Sequence, residues 1–336
     1  MIECVSFVLF LSSLFIIVEN AVISAWNQEY HGNGHIVLLN VIDDLKPRPT
    51  YVKTITIAQS SGTGKSKRLA WIASSFPSVY VKIWGKMFSV CDMICQRVDT
   101  NSYSTAFPLS DDSARDYLLR APSANDDACT GYFTNFISSL FQQLHEESMV
   151  LLSDTPQPYK SIAEKFHSFF SQKNPEPRAN FYQRVVNNAA ACGNVRESLS
   201  QLEERLKKCC TEWPTTKTFP ILISLDEVHV LYERRSLDQD TGEHTLYSRF
   251  SSAMSWLVDC NFAVISMSTS SHFPSLAPSQ VIAPSMRERN EELFRPAPFT
   301  ELPFDAHLIA NPLVPDKEKL ASVGSLEFTS RFGRPL

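Results

Sequence analysis

Two strand-like patterns come first along the chain. Lys53–Ala58 (KTITIA) alternates β-branched and polar positions, and Ser78–Trp84 (SVYVKIW) repeats the alternation. Pro220–Leu225 (PILISL) and Asn261–Met267 (NFAVISM) are continuous apolar runs, the pattern of strands buried on both faces of a parallel sheet. Helical spacing lies between them. Tyr132–Leu152 repeats Phe133, Phe136, Ile137, Leu140, Phe141 and Leu144 on one stripe. Val195–Cys210 does so with Val195, Leu199, Leu202 and Leu206, and ends in Lys207 and Lys208, at the favourable end of the helix dipole. Leu246–Asp259 carries Leu246, Phe250, Met254 and Leu257. Asp111–Arg120, after Pro108, and Lys65–Ser75 complete the predicted helices. Pro156–Pro177 and Thr211–Pro220 have the composition of connections. Strands alternating with helices predict an α/β fold with a mostly parallel sheet covered on both faces.

Composition narrows the class. The chain has 336 residues, 43% hydrophobic and 20% charged, which excludes disordered, fibrous and polytopic membrane proteins. Its net charge of −5 offers no global attraction for nucleic acid. Eight cysteines include neither paired CxxC knuckles nor a matching HxxxH, so they read as buried or idle thiols of a reducing compartment. Residues 1–26 stand apart: Cys4–Val18 is apolar except for serines, short for a spanning helix, and has no basic residue before it. A secretory or anchor segment, a buried element and a mis-joined first exon all fit that pattern. A membrane is a partner only if it is an anchor. The cytoplasm is the expected location, because the chemistry downstream needs cytosolic nucleotide.

That chemistry centres on Ala58-Gln59-Ser60-Ser61-Gly62-Thr63-Gly64-Lys65-Ser66-Lys67, where a strand enters a glycine-bearing loop and a helix follows. Backbone N–H groups over Ser60–Lys67 in that setting cradle phosphates, helped by the helix dipole. Lys65 would reach the β- and γ-phosphates and Ser66 would ligate Mg²⁺. The strict pattern has glycine where Gln59 stands, while Gly62 and Gly64 keep the close approach. Asp226 and Glu227 end a predicted buried strand, which puts carboxylates at the sheet's carboxyl edge. Asp226 suits the Mg²⁺ shell, and Glu227 can orient and polarise water. Ser268 and Thr269 follow the last strand and are placed either to sense a γ-phosphate or simply to cap the strand. Arg287, Arg289, Arg295 and Arg334 are candidates for a transition-state cation, with surface ion pairs as the alternative. No Asn/Thr-Lys-x-Asp motif reads guanine, leaving ATP by elimination.

Tyr51–Ser66 (YVKTITIAQSSGTGKS) resembles the opening of a group of P-loop proteins from mushroom-forming fungi linked with Crinkler-type proteins. Phe107–Asp112, Leu225–His229, Pro298–Asp305 and Phe332–Leu336 fit the same resemblance, and Gly333-Arg334-Pro335 is similar to the Gly-x-Pro element of STAND-type switch ATPases. The resemblance implies an additional-strand, Glu-bearing P-loop ATPase, a three-layer sandwich spanning residues 45–275. A long helical insertion at about 105–215 would interrupt it, and a short helical tail, 276–336, would follow as an incomplete switch. The implied activity is Mg²⁺-dependent, slow ATP hydrolysis that drives a conformational switch toward a protein partner, with Lys65 and Glu227 catalytic. Two alternatives stand beside it. One is a degenerate fold serving as an interaction or effector module, favoured by Gln59. The other is a DExH-type helicase fragment, suggested by Asp226-Glu227-Val228-His229 but opposed by the acidic charge and the few residues after Met267.

Overall fold

The computed structural model describes residues 34–58, 78–82, 111–122, 126–170, 175–191, 193–214, 219–226, 228–233, 235–238, 242–268 and 296–299. Four strands, β1 (Thr54–Ala58), β2 (Ser78–Lys82), β3 (Ile221–Asp226) and β6 (Phe262–Ser268), form one sheet in the order β1–β6–β3–β2. All three pairings are parallel. A separate antiparallel pair joins β4 (Arg235–Asp238) to β5 (Gly242–Thr245). The fold is therefore mixed α/β with a parallel sheet, as the alternating patterns predict.

Every residue of β1 and β6 is buried, because each face of the sheet builds its own core. On one face lie Ile55, Ile57, Leu222, Ala263, Ile265 and Met267, covered by Leu38 and Ile42 of α1 (Gly34–Asp44) and by Leu45 just beyond it. The sequence patterns did not anticipate α1. Lys53, which leads into β1, holds it in place: its ammonium donates to the carbonyls of Leu45 (2.6 Å), Lys46 (3.1 Å) and Arg48 (2.8 Å). These carbonyls lie in the turn leaving the helix, where the dipole favours a cation; those of Leu45 and Arg48 also accept the backbone amides of Arg48 and Thr50.

On the other face, Ile221, Ile223, Leu225, Phe262 and Val264 share a core with a helical block. The block comprises α2 (Asp112–Leu119), α3 (Asp126–Leu151), α4 (Tyr159–Phe169), α5 (Pro175–Ala189) and α6 (Val195–Lys208), all between β2 and β3 in sequence. A short α7 (His229–Glu233) and α8 (Leu246–Ser255) lie between β3 and β6. Phe141 of α3 meets Phe262 of β6 edge to face at 5.2 Å, and Phe133 meets Phe250 of α8 at 5.7 Å. The block is thus an extension of the sheet's own core.

One expectation is overturned. Pro156–Pro177 is not a plain connection, because α4 occupies its middle and α5 starts at Pro175. Ile162, Ala163 and Phe166 form a buried helical stripe. The prolines flank the helices: Pro158 is the N-cap of α4, and Pro175 stands at a first helical position, where its missing N–H costs nothing.

A buried ion pair locks the block. Arg178 of α5 donates from Nε and Nη2 to the two carboxylate oxygens of Asp111, both at 2.6 Å, and from Nη1 to the Phe170 carbonyl at 3.0 Å. Only 6% and 3% of the two side chains are exposed. One guanidinium therefore ties the start of α2 to the end of α4. Four free cysteines are described, and burial pushes the Cys129 thiol up to about 11, so it stays protonated and inert.

Two predictions follow from this packing. Arg178→Ala or Asp111→Ala should each lose about 3–5 kcal/mol in urea unfolding, because the surviving charge stays buried without its partner. Arg178→Met with Asp111→Leu should lose far less than the sum. Burial also holds the His167 imidazole below its ordinary 6.5. Folding then disfavours the imidazolium, so this contribution to stability is complete above pH 6.5 and is lost as pH falls through the lowered value. His167→Gln should flatten unfolding free energy against pH in that interval.

Candidate functional site

Parallel pairing brings four strand ends to one edge. Ala58 is the register partner of Ser268, Leu225 of Ser266, and Lys82 of Asp226. Along this edge Ala58, Ser268 and Asp226 follow one another on neighbouring strands. With strands about 4.8 Å apart, β1 and β3 are roughly 10 Å from one another, with β6 between them. Beyond β1 the segment 296–299 adds itself in parallel: the Phe299 amide donates to the Thr56 carbonyl (2.7 Å) and Ala58 donates to Phe299 (3.3 Å).

The strand order makes this edge a switch point. The chain leaves β1 for β2, past β6 and β3, then steps back through β3 and β6 to reach Phe299 on the far side of β1. Successors of β1 and β6 lie in opposite directions, the situation in which ligands of open parallel sheets bind beyond the strand ends.

Of the residues singled out by sequence, the structure brings together Asp226, at the end of β3, and Ser268, at the end of β6. Ser268 is 0% exposed. Ser60, Ser61, Gly62, Thr63, Gly64, Lys65, Ser66, Lys67, Glu227 and Thr269 lie outside the described residues, as do the predicted helix Lys65–Ser75, residues 1–26, and Arg287, Arg289, Arg295 and Arg334. Described residues adjoin the glycine-bearing sequence and the acid pair. Ala58 immediately precedes the glycine-bearing sequence, and Asp226 and Val228 flank Glu227. The Val228 amide donates to the Met267 carbonyl at 2.9 Å, which fastens the chain to β6 one residue past the acid pair.

Beneath this edge is a feature that sequence reasoning missed. On the α8 side, Thr56 and Ser266 are buried register partners in a sheet whose strands also bury Thr54, Ser224 and Ser268. The Tyr247 phenol lies 3.4 Å from the hydroxyl of each. Tyr247 stands on the first turn of α8, started by Thr245, whose Oγ1 accepts from the Ser248 amide at 3.1 Å. Its ring packs on Tyr232 of α7 with centroids 4.4 Å apart. The signal was present in the sequence as hydroxyl residues at alternate positions, Thr54 and Thr56 in β1 and Ser266 and Ser268 in β6.

Elsewhere, an open cleft of about 380 Å³ lined by Glu147, Phe169, Glu176, Pro177, Asn180 and Arg184 belongs to the helical block and includes no residue of the sheet. Among the described residues, no three His, Cys, Asp or Glu side chains are grouped to hold a metal, and no helix is long and apolar enough to cross a membrane. Comparison of the chain with protein-family models, curated proteins and solved structures finds no match.

Proposed function

We propose that the chain is a P-loop nucleotide-binding protein that takes ATP with Mg²⁺, hydrolyses it slowly and uses the cycle as a conformational switch toward a protein partner. The observation that carries this reading is the strand order. The strand entering the glycine-bearing sequence and the strand ending in the acid pair are parallel, end at one edge, and have a single strand inserted between them. On this reading two requirements of phosphoryl chemistry come from independent parts of the chain. One is a backbone cradle with a lysine, after β1, and the other is a carboxylate pair, at the end of β3. The covered sheet and the segment 296–299 beside β1 accord with a three-layer sandwich of the additional-strand type.

The donor set fits a magnesium ion that keeps several waters: a hydroxyl from Ser66, a carboxylate from Asp226 and phosphate oxygens are all hard ligands. The ion would neutralise charge on the phosphates. Lys65 contributes fixed positive charge toward the β- and γ-phosphates, stabilising charge that develops on the transferred group. Glu227 holds and polarises the attacking water. The buried Ser266–Ser268 end of β6 keeps the intervening strand fixed between cradle and acids. Gln59 stands where the strict pattern has glycine, and a degenerate fold serving as a non-enzymatic interaction or effector module is the second reading that this departure favours.

Calorimetry on the full chain, comparing ATP with GTP with and without Mg²⁺, tests the assignment. The full chain is required because α1, which precedes residue 45, covers one face of the sheet. Lys65→Ala should weaken ATP binding roughly ten- to a hundredfold, the loss of one charge-assisted contact or more. Equal affinity in wild type and variant would sink the phosphate-loop assignment. Glu227→Gln should retain binding while turnover falls about a hundredfold or more, since an amide cannot act as a base. Binding by a wild type that shows no turnover would select the non-enzymatic reading.

A further inference from the structure

We propose that Tyr247 and Tyr232 form a positioning pair for the acidic segment, with the Tyr247 phenol bridging the two strands that meet at the switch point. This rests on the nucleotide reading above only for its catalytic consequence. The geometry stands independently.

Thr56 on β1 and Ser266 on β6 face each other in register, and the phenol is 3.4 Å from both. A phenol has one proton, so it donates to one hydroxyl at a time and accepts from the other. Both distances exceed the usual ~2.7–2.8 Å, so a small shear of β1 against β6 can tighten one contact and open the other. Burying hydroxyls in a sheet interior is unfavourable unless they find partners, and here they find the same one.

The ring carries that position onward. Tyr232 packs on it at 4.4 Å and belongs to α7, which begins two residues beyond Glu227. Val228 and Leu231, on either side of the start of α7, are wholly buried, and Val228 is held by the Met267 carbonyl. The segment carrying the acids is thereby located twice over, by a backbone bond to β6 and by a tilted ring contact with the residue that reads β1 and β6. Tyr247 itself is anchored to the helical block, because Phe250, one turn along α8, meets Phe133 of α3. The pair therefore connects three bodies: the strand leading to the glycine-bearing sequence, the acidic segment and the helical block. Neither tyrosine is a catalytic residue, since each acts through the segment it places.

Hydrogen exchange of the full chain without nucleotide, in wild type, Tyr247→Phe and Tyr232→Leu, is the test, with ATP turnover measured on the same samples. Tyr247→Phe removes one oxygen and keeps the ring. It should raise exchange of amides 228–233 roughly three- to tenfold, the loss expected for one hydrogen bond, while α3 amides are unchanged. Turnover should fall about tenfold with KM within about twofold, as misplacement of a water-orienting group requires. Tyr232→Leu should do the same, and the double variant should be no worse than the more severe single. Unchanged exchange at 228–233 in both variants overturns the pairing. A uniform rise that includes α3 overturns it as well, since that marks general loss of packing. Raised local exchange with kcat unchanged overturns the positioning role. A wild type that binds no ATP in calorimetry defeats the nucleotide reading instead, and the exchange pattern then decides the pair by itself.

Discussion

Parallel strand pairing is the constraint on which the rest of this structure depends. A parallel sheet cannot be closed by tight hairpins, so long connections must cross its faces, and both faces must be apolar and covered. Here the steps from β2 to β3 and from β3 to β6 carry α2 through α8, which share one core with the sheet. Among the described residues, α1 is the helix that covers the opposite face. The three carbonyl bonds of Lys53 explain how that helix is held: one ammonium satisfies acceptors at its exit and is itself part of the chain entering β1.

The helical block has its own internal lock. Arg178 spends its fork on Asp111 and on the Phe170 carbonyl, so α2, α4 and α5 cannot move independently. Around it, Phe170, Phe181 and Tyr182 pack mainly edge to face, at centroid distances of 4.9–6.2 Å. A charge pair surrounded by aromatic rings specifies one arrangement rather than adding much stability, because desolvation offsets most of its attraction. Rigidity there matters for the edge of the sheet, since α3 reaches β6 and α8 through Phe141 and Phe133.

At the edge itself, the order β1–β6–β3–β2 puts one strand between the proposed cradle and the proposed acids. That spacing leaves room for phosphate groups and water between them, whereas adjacent strands would bring carboxylate and phosphate charges close together. The inserted strand is uncharged at its end, and its Ser266 hydroxyl accepts from the Tyr247 phenol. The docking of Phe299 against β1 adds a late part of the chain to the same core as α1.

Much of this was legible from local pattern. Continuous apolar runs identified β3 and β6, β-branched alternation identified β1, and stripes at helical spacing identified α3, α6 and α8, because burial on a covered surface imposes its period on the sequence. The acid pair was legible for the same reason: a buried strand must end where charge begins. Proline misled at 156–177, where residues that flank helices resemble residues that interrupt them. Three things were decided only by tertiary structure. Strand order is one, since nothing local states which strands become neighbours. The covering of the second face by α1 is another, because the partners of Leu38 and Ile42 are remote in the chain. The third is the meeting of Thr56, Ser266 and Tyr247, three ordinary hydroxyl residues whose significance arises when parallel pairing places two of them in register and the helix preceding β6 brings the third within reach of both.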